Sequence, residues 1–115
     1  PQDVAVQGVL KGIRMFESVD VPVIGIVENM RGFVCPDCQS THELFGAGGG
    51  EKLAASIGVP FLGAVPLGLA VRQEGDRGTP TVIGRPDSPE AQALSAVADR
   101  VDEMVSAGDS EKPAT

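Results

Sequence analysis

The chain predicts an α/β domain of three layers, a mainly parallel sheet between flanking helices. Three observations carry that class. Residues 21–27 (VPVIGIV) and 59–65 (VPFLGAV) are apolar at nearly every position. That is the pattern of parallel strands covered on both faces, not of strands with one wet side. Segments of helical period come before, between and after them, the alternation that builds α/β folds. Fifteen glycines and nine prolines in 115 residues provide many turns, and the aromatics are four phenylalanines, so the core must come from Val, Ile, Leu, Ala and Met. A chain of this length is one domain at most.

Residues 3–18 read as a helix, because Val6, Val9, Leu10, Ile13 and Phe16 fall on one stripe. Gly8 and Gly12 each weaken it by roughly 1 kcal/mol relative to alanine. Residues 21–27 follow as the clearest strand, with Pro22 early enough that its missing N–H does least harm. Glu28 and Asn29 fall at the carboxyl end of that strand, the edge where open α/β sheets bind ligands. Residues 30–45 form a long loop that holds both cysteines, and long ordered loops in compact domains are usually functional. Gly46-Ala47-Gly48-Gly49-Gly50 leads into a helix over 51–57, closed by Gly58.

The second strand, 59–65, is ended by Pro66. Residues 69–73 suit a short helix, 74–80 a connector rich in turns, and 81–83 a short third strand. The last helix has Ser88 as N-cap, Pro89 at its first position and Glu90 at the positive end of its dipole. Leu94, Val97, Ala98, Val101 and Val105 make its buried face. The domain then spans residues 1–107, and 108–115 is a polar, disordered tail. Three strands make a thin sheet, so its missing neighbours should come from an N-terminal segment or from another copy. Pro1 in place of an initiator Met suggests an internal piece of a longer protein.

Charge and composition exclude several functions. The net charge is −7, with no cluster of Lys or Arg, and binding to a phosphate backbone needs such a cluster. Nucleic acid is therefore not an expected partner. No apolar run approaches the length of a membrane span, and no signal peptide opens the chain. Two cysteines without a secretion signal point to a reducing, cytoplasmic setting rather than a disulfide framework.

Cys35-Pro36-Asp37-Cys38 has the spacing that turns two sulfurs toward one metal. Three completions stay open on the residues alone. Two copies of the chain could each give a pair of thiolates to an iron–sulfur cluster. His42 and Glu43 could instead finish a local zinc site, making a non-enzymatic interaction module with a zinc-stabilised loop. Or the pair could be a redox dithiol, which wants its first cysteine at a helix N-terminus. The glycine-rich segment before Lys52 imitates a phosphate loop but fails the Walker A spacing: Glu51 stands at the second glycine and Leu53 follows the lysine. A flexible helix entry is the better reading. Asn29 on composition is a turn residue, and no Ser/His/Asp triad is present.

Taken together, PQDVA, KGIRMFESVDVPVIGIVENM, CPDC, FGAGGGEKLA, VPFLGAVPL and VRQEGDRGTP occur in this order from Pro1 to about Met104. The chain so resembles the C-terminal portion of the Mrp/nucleotide-binding-protein family of iron–sulfur cluster carriers, P-loop ATPases of the deviant Walker A type. The resemblance implies a partial three-layer, P-loop NTPase-like fold. It implies a homodimer whose Cys35 and Cys38 bind a bridging 4Fe–4S cluster, which is then passed to apo iron–sulfur proteins. It also implies that Asn29 recognises adenine and that the backbone near Pro66 lines the same pocket. The loop's position beside the nucleotide edge of the sheet leads to the expectation that nucleotide state would alter the dimer geometry that presents the paired loops. Two departures follow. The family's Walker A loop and Mg-binding acid precede this chain, so it should not hydrolyse ATP by itself, though the parent protein with ATP and Mg should. Gly68 stands where the family usually carries an acid after the Pro-Leu pair.

Overall fold

A computed structural model describes residues 3–44 and 46–111, with 108–111 described by backbone alone. Its elements are α1 (Asp3–Ser18), β1 (Ile26–Glu28), β2 (Phe33–Val34), β3 (Thr41–His42), α2 (Gly49–Ile57), β4 (Phe61–Ala64), α3 (Leu69–Asp76), α4 (Thr81–Gly84) and α5 (Pro89–Glu111). The α/β class is as expected: β1 and β4 pair in parallel, Ile26 opposite Phe61 and Glu28 opposite Ala64, and helices flank them. Helices α1 and α2 close over this pair. Ile13, Ile26, Leu53 and Ala54 form the core between them, with Val6, Leu10, Val23 and Phe61 packed around it. Helix α5 lies along β4, where the Arg100 guanidinium donates to the Phe61 carbonyl at 2.9 Å.

The expected strand over 21–27 shortens to its last residues. β1 has one strand neighbour, β4, among the described residues, so 21–25 find no ladder to join. Val21, Ile24 and Val27 stay 46%, 43% and 43% exposed, against the expectation of burial on both faces. Gly25 still sits tightly against the second strand, since a Cβ there would lie 2.6 Å from Leu62 Cγ. The third strand expected over 81–83 is a helical turn instead, α4. Ile83 and Gly84 N–H both donate to the Pro80 carbonyl at 2.9 Å, and Arg85 N–H to Thr81 at 2.8 Å. Its packing partners are helices α3 and α5, so no strand edge is there to extend it.

Three further boundaries move. Helix α3 continues through Asp76, because Glu74 is buried and held by Arg77 at 3.5 Å and Arg85 at 3.3 Å. Helix α2 begins at Gly49, inside the glycine run. Helix α5 runs to Glu111, past the expected domain boundary at 107, while 112–115 lie outside the described residues. Ser88 caps α5 as expected, its Oγ accepting from Ala91 N–H at 3.1 Å. The apolar faces of the long helices are only partly covered. Val9 and Phe16 of α1 are exposed, as are Leu94, Ala98 and Val105 of α5. No helix among the described residues is long and apolar enough to cross a membrane.

Candidate metal centre

The long cysteine loop is a built object. β2 and β3 pair antiparallel inside it, Phe33 opposite His42 and Val34 opposite Thr41. Cys35 N–H donates to Ser40 carbonyl at 2.9 Å and Gln39 N–H to Cys35 carbonyl at 2.9 Å. These bonds close a tight turn, which Gln39 completes at φ 64°. Both thiols therefore ride at the tip of a hairpin. They are free, Cys35 half-buried and Cys38 exposed.

Two anchors hold the hairpin to the sheet. On one side Phe33 bridges Leu67, Leu67 N–H donates to Gly32 carbonyl at 2.8 Å, and Arg31 N–H to Val65 carbonyl at 3.1 Å. On the other side stands Glu28, the last residue of β1 and 4% exposed. Its two carboxylate oxygens accept from Gly48 N–H at 3.2 Å and Gly50 N–H at 3.3 Å. The glycine-rich segment is thereby accounted for as a helix entry. Its amides point at a carboxylate of the same chain, and a negative charge already occupies the positive end of α2.

Cys38 Sγ–H donates to Ser40 Oγ at 3.2 Å. Once the proton leaves, the sulfur accepts from the same hydroxyl. Hydrogen bonding from the Ser40 side chain, then from the Ser40 backbone and the Cys35 side chain, holds the Cys38 pKa below the ordinary thiol value. A thiolate is the form that binds metal, so the tip suits a soft cation. His42 lies two residue pairs back from the tip, opposite Phe33. Among the described residues no group of three or more His, Cys, Asp and Glu is arranged to hold a metal ion. The local zinc site of Cys35, Cys38, His42 and Glu43 therefore lacks its geometry, and each chain offers two sulfurs.

Asn29 and Pro66 come to the same end of the sheet, since 28–33 runs beside 64–67. Asn29 Oδ1 accepts from Met30 N–H at 2.8 Å, a local turn that lets Met30 take φ 56°. Asn29 lines a cleft of about 280 Å³ with Val6, Val9, Val27 and Leu53, and Pro66 is not part of its wall. A second cleft of about 410 Å³ separates the hairpin from α3 and α5, with Cys35, Gln39, Gln73, Arg85 and Glu90 on its walls. Sequence reasoning placed Glu28 at the strand's carboxyl end without giving it a role, and missed Ser40. A charge ending an apolar run and a hydroxyl two residues after a cysteine were the available signals.

The chain is similar to known proteins over most of its length. Over 101 residues the chain is 48% identical to the iron-sulfur cluster carrier protein of Escherichia coli, covering 88% of this chain and 27% of that one. It is 45% identical to the iron-sulfur cluster transfer protein NUBPL of Mus musculus, covering 88% and 32%. The chain thus spans about a third or less of these relatives' length. A solved structure, the nucleotide-binding protein of Archaeoglobus fulgidus in complex with ADP and with Co found by PIXE, superposes with TM-score 0.54 at 37% identity, over 61% of this chain and 29% of that one. A family model described as ParA, the NUBPL iron-transfer P-loop NTPase, matches residues 1–102. The chain belongs to that NUBPL-type family of iron-transfer P-loop NTPases.

Proposed function

We propose that this chain is the cluster-holding portion of an iron–sulfur cluster carrier. Its cargo is a 4Fe–4S cluster gripped by Cys35 and Cys38 of two copies and released to apo iron–sulfur proteins. The observation that carries this reading is the count of donors. Two free sulfurs sit at a hairpin tip with no third donor gathered beside them among the described residues. A cluster of this type takes four thiolates, so a second tip must supply the other two. Exposure of Cys38 at the tip suits a cargo that has to leave.

The whole protein, on this reading, is a cytoplasmic homodimer that binds ATP with Mg. Asn29 and the backbone at Pro66 serve its adenine end, at the carboxyl edge of the parallel strands where such ligands bind. That the Archaeoglobus relative is a nucleotide-binding protein solved in complex with ADP supports nucleotide binding by the whole protein. This chain alone carries no Walker A loop and should not turn over ATP.

Anaerobic reconstitution with iron and sulfide tests the ligand roles. The chain should turn brown and hold about four irons per two chains. The double variant Cys35→Ser, Cys38→Ser should keep almost none, and an undiminished iron content there would end the assignment.

A further inference from the structure

The cysteine hairpin needs something to fix where it stands, and one buried side chain outside the ligand set spans both ends of its loop. We infer that Glu28 is the positioning residue of the cluster site: its carboxylate locks the start of the cysteine loop to its end. The inference rests on the carrier reading for its functional consequence, though not for the lock itself.

Glu28 ends β1, and the chain leaves the sheet at the next residue. It returns at Gly48 and Gly50, 20 and 22 positions later, where the same carboxylate receives it with one oxygen for each N–H, at 3.2 and 3.3 Å. A two-pronged contact fixes orientation as well as distance, and hydrogen bonds to an ionised acceptor are the stronger kind. With Glu28 4% exposed, water competes little for these amides. Gly50 is part of the device. A Cβ there would lie 3.0 Å from Glu28 Cβ and 3.3 Å from Oε2, so a side chain at this position would press Glu28 back from the α2 amides. Gly48 stands at the helix N-cap in the left-handed region and offers no side-chain cap, which leaves the Gly50 N–H, at the second helical position, for Glu28. The opposite anchor, through Gly32, Phe33 and Leu67, pins one strand of the hairpin only. Without Glu28 the returning arm, from the tip to α2, is tied among the described residues by β3 and by the more exposed Arg31–Glu51 ion pair at 3.9 Å, whose solvated charges hold it weakly.

Amide hydrogen exchange of the metal-free full chain tests the lock. Glu28→Gln keeps the shape but lets the terminal amide accept through one atom only. Protection of Cys35, Gln39 and Gly50 N–H should fall about tenfold, with the amides of α5 unchanged. Gly50→Ala keeps the charge and favours the helix, yet should loosen the same amides by displacing the carboxylate. It also answers the question if Glu28→Gln fails to fold. Unchanged loop protection in the variants overturns the inference, as does an equal loss throughout α5, which would mark general destabilisation. In the iron-loaded chain, Glu28→Gln should release iron to a chelator about tenfold faster than wild type. A wild-type chain that takes up no iron removes the carrier reading and leaves the exchange result standing.

Discussion

Ser40 does more to the chemistry of the tip than its place between two named motifs suggests. Its hydroxyl lies 3.2 Å from Cys38 Sγ, its carbonyl receives Cys35 N–H, and hydrogen bonding from it is the leading cause of the lowered Cys38 pKa. A lowered thiol pKa enlarges the thiolate fraction on the acid side of the ordinary value, and the thiolate is the reactive form. Alkylation of Cys38 by iodoacetamide should accordingly reach half its maximal rate at a lower pH than a free cysteine does. In Ser40→Ala that midpoint should move up toward the ordinary value. Mass spectrometry of each cysteine peptide against pH reads this directly, and a midpoint indifferent to Ser40 would contradict the hydrogen-bond origin. A hydroxyl two residues after a cysteine was too weak a signal to single this residue out beforehand. Spacing identified Cys35 and Cys38, but which neighbour turns toward a sulfur depends on the hairpin's turn, closed by Gln39 at φ 64°.

Among the elements, those whose order comes from their own residues were legible, and those completed by a neighbour were not. Helix α1 runs over the residues its stripe implied, because period and burial against Ile26 agree. Ser88 and Pro89 start α5 where their chemistry puts them. Ser88→Ala should cost about 1 kcal/mol of stability by removing the acceptor for Ala91 N–H; chemical denaturation of the metal-free chain reads it, and a loss of a few tenths or less would mean that water replaces the cap. Residues 81–83 carry β-branched character that favours a strand, yet a strand is fixed by its partner. With helices α3 and α5 as neighbours, the segment closes into a turn. The cysteine loop was expected to carry function but was not foreseen as a hairpin, since strands of two residues leave no periodic trace.

Across the whole molecule, burial is lopsided. The core gathers between α1, α2 and β1, while Val9, Val21, Ile24, Val27 and Met30 remain 43–48% exposed on the surface around the side of β1 that no strand covers among the described residues. Two forces therefore bear on self-association. Apolar surface of this kind favours contact between chains without any metal, and a net charge of −7 opposes it through repulsion. On the proposed reading a shared cluster would add a third term, specific to Cys35 and Cys38, since four thiolates are needed and each chain would supply two. These contributions separate in sedimentation. Iron-loaded chain should sediment as a dimer and return toward monomer when a chelator strips the iron. Cys35→Ser, Cys38→Ser should match the stripped wild type under all conditions, and raising salt should strengthen contact in both by screening their like charge. Dimer that persists unchanged after stripping, equally in the serine variant, would place association on the apolar surface alone. The hairpin tips would then have no part in joining the two chains.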